Sequence, residues 1–308
     1  MAFCVVVTEG LETIPLAWLK GEAHVIESSW KSLQQLRKDL ALADALIVRT
    51  YTQVNDELLS AAPKLRVVGR AGVGLENIDQ AACARRGVAV ISTPGANMHA
   101  VCEYVFNLIF HLGRPLVHVP DPISPEGFHA YRKKIRGLEL HGKTMGILGM
   151  GRIGRAVGRV AFAFGMKVIY NDLVDVAAHV DFPAQSVTKP ELYAQSDILT
   201  VHVSHVEGNR NLIAAPALDL MRPTAYLINT SRGEVIDSAA LAAALKNDRL
   251  AGAALDVHEP EPPPADYPLW GVKNLILAPH LAARTQGAMD AMSWVARDVV
   301  ELLKSNPA

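Results

Sequence analysis

The run Thr144-Met145-Gly146-Ile147-Leu148-Gly149-Met150-Gly151-Arg152-Ile153-Gly154 stands near the middle of a chain of 308 residues. Its first five residues read as a strand, and the amphipathic segment 153–164 reads as the helix that follows. Three glycines at this spacing permit a tight turn, close approach of backbone to a pyrophosphate, and close packing of helix on strand. Phosphates then sit at the helix N-terminus, where unpaired N–H groups and the dipole favour anions. Alone, GxGxxG is a weak signal. Its setting sharpens it. The next strand, 167–170, runs into Asn171-Asp172, and Asp172 lies 18 residues beyond Gly154, near the ~20 at which an acidic residue meets ribose hydroxyls. A carboxylate there repels a 2′-phosphate, and Leu173 and Val174 offer no arginine to hold one. The reading is a site for NAD in preference to NADP, with Gly149, Gly151, Arg152, Ile153, Gly154 and Asp172 binding the cofactor.

Strand and helix signals alternate on both sides of this motif. Upstream, short apolar, β-branched runs at 3–7, 24–26, 45–48, 65–68 and 88–91 alternate with helix-period segments at 33–42, 56–61 and 79–86. Downstream lie strand signals at 198–201, 225–229, 252–255 and 275–277, with a helix at 238–246. Such alternation builds βαβ units and parallel sheets. The two sets of strands predict an α/β chain with two doubly wound parallel sheets, and the length suits about two domains. The boundary falls near Pro94, with the apolar segment 100–112 as the helix crossing it. The final helix, 286–303, is expected to pack back on the first domain and make it discontinuous. Two proline-rich patches, 114–127 and 259–268, are expected to be ordered, non-helical loops, because proline fixes φ and cannot donate to a helix.

Composition narrows the function classes. Thirty Lys plus Arg against 31 Asp plus Glu leave a formal net charge of −1, which gives no electrostatic footprint for nucleic acid or an anionic membrane. Cys4, Cys83 and Cys102 are scattered without a CxxC, so neither a disulfide framework nor a zinc site is expected, and a reducing cytoplasm fits. The N-terminus lacks the basic region of a signal peptide, and no apolar run is long enough to span a bilayer. These features point to a cytoplasmic protein acting on a small molecule, with no nucleic-acid or membrane partner. His202 and His205 share a strand end, but no carboxylate or cysteine spacing completes a metal site, and none is expected.

A second constellation lies in the last third. Arg232 follows the strand signal at 225–229, Asp256 ends the strand at 252–255, Glu261 sits in the second proline patch, and His280 follows the strand at 275–277. In a doubly wound sheet the C-terminal strand ends line the ligand crevice, so these four residues can converge. A His–Glu pair makes a general acid/base, the carboxylate favouring the protonated ring. An arginine supplies a forked donor for a carboxylate or a developing oxyanion. His258 reads as packing beside this loop, and Lys143 and Arg155 as solvated neighbours of the glycine motif.

At this point the chain resembles the D-isomer-specific 2-hydroxyacid dehydrogenases over essentially its whole length. The matching stretches are GRAGVGLENID at 69–79, STPGANMHAVCE at 92–103, LHGKTMGILGMGRIGR at 140–155, AYLINTSRGEV at 225–235, GAALDVHEPEP at 252–262 and LAPHL at 277–281. The resemblance implies a flavodoxin-like substrate domain, residues 1–96 plus 284–308, and a Rossmann NAD-binding domain, residues 97–283, with a cleft between them. It implies that His280 protonates the substrate oxygen during ketone reduction, that Glu261 raises its pKa, and that Arg232 binds the substrate carboxylate and carbonyl. Asp256 would hold the nicotinamide carboxamide. Val73, Gly74 and Asn97 match substrate loops whose backbone N–H groups grip the carboxylate. A homodimer built through the cofactor domain is implied as well.

Within the family the likeness is nearest to the 3-phosphoglycerate dehydrogenases. Arg49, Arg70 and Arg132 match arginines that face the phosphate end of that substrate, and an arginine cluster suits a second anionic group. The segment 113–128 departs from relatives that run helical into a tryptophan, and Val105 replaces a polar residue. Glyoxylate/hydroxypyruvate reduction and a sulfolactate-type dehydrogenase are the alternatives, and NAD(H)-binding corepressors that keep the same Arg, Glu and His are a remote one. The chain ends soon after its last helix, so no appended regulatory domain is expected.

Overall fold

The computed structural model describes residues 3–119 and 122–305. Met1 and Ala2, Pro120 and Asp121 of the first proline patch, and the last three residues of the segment 284–308 lie outside the described residues. The chain divides into two compact units, residues 1–97 with 283–308 and residues 98–282.

The first unit runs β1 (Cys4–Val7), α1 (Thr13–Glu22), β2 (His24–Glu27), α2 (Leu33–Leu40), β3 (Ala45–Val48), α3 (Asp56–Ser60), β4 (Val67–Arg70), α4 (Gln80–Arg85) and β5 (Ala89–Ser92). Its parallel sheet has the order β2-β1-β3-β4-β5, the flavodoxin-like winding. Every residue of β3 is buried, as expected of a parallel strand covered on both faces. Helices start where side chains close the first turn: Asn55 accepts from the Leu58 N–H and Asp79 from that of Ala82.

The second unit runs α5 (Met98–Gly113), α6 (Pro125–Lys134), β6 (Thr144–Leu148), α7 (Arg152–Ala163), β7 (Lys167–Asn171), β8 (Gln185–Ser186), α8 (Lys189–Gln195), β9 (Ile198–Val201), α9 (Ala215–Leu220), β10 (Tyr226–Asn229), α10 (Ser238–Lys246), β11 (Gly252–Leu255) and β12 (Leu275–Leu277). The parallel sheet has the order β12-β11-β10-β9-β6-β7-β8. The winding reverses between β6 and β9, the switch point at which Rossmann sheets take their ligand. The chain then returns to the first unit through α11 (Gln286–Ser293) and α12 (Val295–Ser305). Val295, Val299, Val300 and Leu303 of α12 pack with Val5, Val7, Ile47 and Val67 on one face of the first sheet.

Two expectations are corrected. The first proline patch is not wholly non-helical. Ser124 accepts from the Gly127 N–H and Pro125 opens α6, since a helix's first residues need no N–H partner and proline's fixed φ suits the first turn. The final helix is two helices. Ser293 donates its hydroxyl back to the Met289 carbonyl and accepts from the Glu12 N–H, and such back-bonding bends a helix. The second proline patch is non-helical as expected.

Candidate active site

The glycine loop at the β6–α7 junction divides its tasks. Gly149 has φ +94°, and a Cβ there would lie 2.7 Å from the His202 carbonyl oxygen. A Cβ on Gly154 would collide with the Gly149 carbonyl, so this residue lets helix and strand close together. Gly151 has nothing within 4 Å of its would-be Cβ. It caps α7 without a side-chain bond, leaving the helix N-terminus open to a phosphate. Arg152 and Ile153 form the first turn, with Arg152 exposed. Asp172 follows β7 and accepts from the Met150 N–H at 2.7 Å and the Val174 N–H at 3.2 Å. Each oxygen keeps acceptor capacity for a ribose hydroxyl. Thr230, just past β10, holds a buried hydroxyl with no hydrogen-bond partner among the described residues. An open helix N-terminus, a strand-end carboxylate and an unsatisfied hydroxyl on the same sheet edge fit a dinucleotide.

The acid/base group gathers on the same unit, at the ends of β10, β11 and β12. His280 Nδ1 lies 2.8 Å from Glu261 Oε1. That hydrogen bond is the leading reason the histidine's pKa is raised, burial opposing it. Burial works against the Glu261 carboxylate, but the bond from His280 prevails and its pKa is lowered. Both partners are about half-exposed. His280 has φ +56°, a left-handed conformation uncommon for a side chain with Cβ. Asp256 holds that turn. It is fully buried, its carbonyl accepts from the His280 N–H at 2.9 Å, and its carboxylate accepts from the Leu281 N–H at 2.7 Å and the Ala282 N–H at 2.8 Å. Burial raises its pKa in spite of those two bonds.

Arg232 lies close enough for its charge to oppose protonation of His280, and its guanidinium donates to the Ser231 carbonyl at 2.7 Å. Gly233 brings this loop against the one carrying Glu261, because a Cβ there would collide with the His258 carbonyl. His258 is buried and lies 2.8 Å from the Ala278 carbonyl oxygen, tying the proline patch to the end of β12. The His202 ring meets the Thr200 hydroxyl at 2.9 Å, and burial pushes its pKa down to about 3. His205 bonds to Glu234. No group of three or more metal-ligating side chains occurs among the described residues. Two concavities of the second unit, about 720 and 350 Å³, include Thr144 and Asp197 at strand beginnings, not the strand ends that carry Arg232 and His280.

The first unit places Arg49 and Arg70 at its own strand ends and Val73, Gly74 and Asn97 in the loops beyond them. Arg49 follows β3. The Glu9 carboxylate accepts from the backbone N–H groups of Arg49, Thr50, Tyr51 and Thr52 and from the Thr52 hydroxyl. Arg70 ends β4 and donates to the Ala71 carbonyl at 3.3 Å. Its guanidinium covers the space a Cβ of Gly72 would fill. Val73 and Gly74 continue that loop, with Val73 exposed. The amide oxygen of Asn97 is buried without a hydrogen-bond partner among the described residues. Arg132 lies exposed on α6 of the second unit. Sequence reasoning missed Glu9, Thr230 and Gly233. Glu9 is the only one with a usable signal, an acidic residue two positions past a strand end.

Residues 106–282 match the model of the family described as "D-isomer specific 2-hydroxyacid dehydrogenase, NAD binding domain". The (S)-sulfolactate dehydrogenase of Chromohalobacter salexigens is 42% identical over 261 residues, covering 83% of each chain. The D-3-phosphoglycerate dehydrogenase of Archaeoglobus fulgidus is 34% identical over 278 residues, 90% of this chain; the chain spans 52% of that relative's length. A solved structure, the glyoxylate reductase from Paecilomyes thermophila, superposes with a TM-score of 0.82 at 28% identity, over 99% of this chain and 95% of the other. The chain belongs to the D-isomer specific 2-hydroxyacid dehydrogenase family, and its second unit carries the family's NAD-binding domain.

Proposed function

We propose that the chain interconverts a D-2-hydroxy acid and its 2-keto acid with NAD, and that the pair is 3-phosphoglycerate and 3-phosphohydroxypyruvate. The observation that carries the reaction type is the His280–Glu261 hydrogen bond, set on the sheet that holds the glycine loop. A nicotinamide cofactor held by the glycine loop and Asp172 would supply hydride chemistry at the substrate's second carbon. In reduction, protonated His280 gives its proton to the carbonyl oxygen as negative charge develops there, and in oxidation the neutral ring takes it back. Glu261 favours the imidazolium and orients the ring. Arg232 holds the substrate carboxylate and polarises the carbonyl. Asp256 keeps one acceptor position per oxygen for the carboxamide N–H groups while bonding the two residues after His280. Asp172 takes the ribose hydroxyls and disfavours NADP.

The first unit, residues 1–96 plus 284–308, is the substrate domain in this reading, and residues 97–283 are the cofactor domain. Backbone at Val73, Gly74 and Asn97 grips the carboxylate, while Arg49, Arg70 and Arg132 hold the phosphate. In this reading the protein works in the cytoplasm as a homodimer, at the entry to serine synthesis. The 42%-identical sulfolactate dehydrogenase favours a second reading, in which the distal group is a sulfonate. The test follows NADH consumption with 3-phosphohydroxypyruvate, sulfopyruvate, hydroxypyruvate and glyoxylate. The phosphorylated acid is expected to give the highest kcat/KM. Sulfopyruvate ahead of it establishes the second reading, and the small uncharged-tail acids ahead of both discard the arginine argument.

A further inference from the structure

We infer that Arg284, with Arg49, forms the subsite for the substrate's distal anionic group, and that Arg284 sets the preference for doubly over singly anionic 2-keto acids. This rests on the oxidoreductase reading above, and both arginines belong to the first unit.

Glu9 fixes the backbone of Arg49 by accepting from four successive N–H groups. The Arg49 guanidinium then makes a long bond to the Gly10 carbonyl, at 3.4 Å, and one to a weak acceptor, the Met289 sulfur, at 2.9 Å. Met289 lies in the first turn of α11 and donates its N–H to the Thr285 carbonyl at 2.9 Å. Thr285 is the cap of that helix, and Arg284 is the residue immediately before it. Both residues thus stand at the N-terminal end of α11, Arg49 through its contact with Met289 and Arg284 through its place just before the cap. Burial is the first cause of the lowered pKa of Arg49, and the positive charge of Arg284 is the second.

Neither arginine forms an ion pair with a described carboxylate. The carboxylates of this region are engaged elsewhere: Glu9 with its backbone donors, and Glu12 and Asp290 with the Gln286 amide at 3.2 and 3.3 Å. Glu12 and Glu9 offset part of the charge on Arg49 from a distance, but its donors go to a thioether and a long carbonyl bond rather than to a carboxylate, which leaves room for an anion. A tetrahedral oxyanion fills it by bridging two forked donors. Phosphate and sulfonate share that chemistry.

The test compares the unaltered chain with Arg284→Gln and Arg284→Lys, using NADH with 3-phosphohydroxypyruvate, sulfopyruvate or hydroxypyruvate. Arg284→Gln is expected to raise KM for the doubly anionic acids about tenfold, with kcat changed less, so that their kcat/KM advantage over hydroxypyruvate falls; Arg284→Lys restores most of it. The acid that loses more identifies phosphate or sulfonate as the group bound. Calorimetric titration with 3-phosphoglycerate and sulfolactate reads the same subsite without turnover, and Arg284→Gln should weaken the tighter of the two about tenfold. Unchanged substrate ratios and unchanged binding overturn the inference. Lost binding in Arg284→Gln, in a chain that turns over no 2-keto acid, keeps the subsite and overturns the reaction instead.

Discussion

The proton inventory of the site turns on one bond, between a half-exposed imidazole and a half-exposed carboxylate. Because Glu261 raises the pKa of His280, the protonated ring persists to higher pH than a free imidazole would. In the proposed reaction, reduction draws on that form, so its rate is expected to hold at low pH and to be lost as pH rises through the raised value. Glu261→Gln removes the leading cause and leaves burial, which acts in the other direction. The descending limb of kcat/KM for reduction should move to lower pH, the rising limb for oxidation should move the same way, and reduction near neutral pH should fall roughly tenfold or more. Profiles in both directions check this, and limbs that stay put would remove Glu261 from the proton argument. His280, Glu261, Arg232 and Asp256 were all visible in the sequence, because strand ends in a wound sheet are where ligand chemistry collects. Gly233 was not, since what it contributes is a missing Cβ against another loop's backbone, which no pattern of residue types records.

Elements were legible where burial imposes a period. The strands β3, β6, β9, β11 and β12 have the bounds the apolar runs suggest, because both faces of a parallel sheet select the same residues. The edge strand β8 is two exposed polar residues, and nothing in Gln185-Ser186 distinguishes it from loop. Polar interactions decided the rest: the Ser124 cap starting α6, the Ser293 back-bond ending α11, and Glu9 organising the loop after β3. The last can be tested by stability. The Glu9 carboxylate faces burial, but hydrogen bonds from Tyr51, Thr52 and Thr50 lower its pKa. A lowered folded pKa gives stabilisation that is present above the unfolded value, about 4.3, and lost as pH falls through the folded one. Glu9→Gln puts an amide among donors and should cost about 1–2 kcal/mol at neutral pH, toward the lower end for charged hydrogen bonds because the group keeps some solvent. In urea melts of the variant and the unaltered chain, that gap should close on acidification. A gap independent of pH would mean that shape rather than charge holds the loop.

Assembly is the level at which a single chain's sequence says least, because a surface that pairs with a copy of itself obeys no period. Exposure supplies what periodicity cannot. Between the end of α5 and the end of α6 the second unit leaves Leu116, Val117, Val119 and Phe128 exposed, Leu116 at 93%, with Ile135 just beyond. Soluble monomers rarely leave large contiguous apolar patches in water. A homodimer through this unit would cover these residues, since a two-fold interface presents the same surface from each subunit. It also gives Arg132 a setting, because α6 carries it on the same exposed segment. The prediction is that the chain, 33.2 kDa, runs at about twice that mass in light scattering behind size exclusion. Leu116→Glu combined with Val117→Glu should shift it toward the monomer at micromolar concentration, with NADH titration unchanged because the glycine loop and Asp172 lie on other elements. A dimer unaffected by the double substitution would move the interface elsewhere, and a monomeric unaltered chain would leave Arg132 without a part in binding substrate.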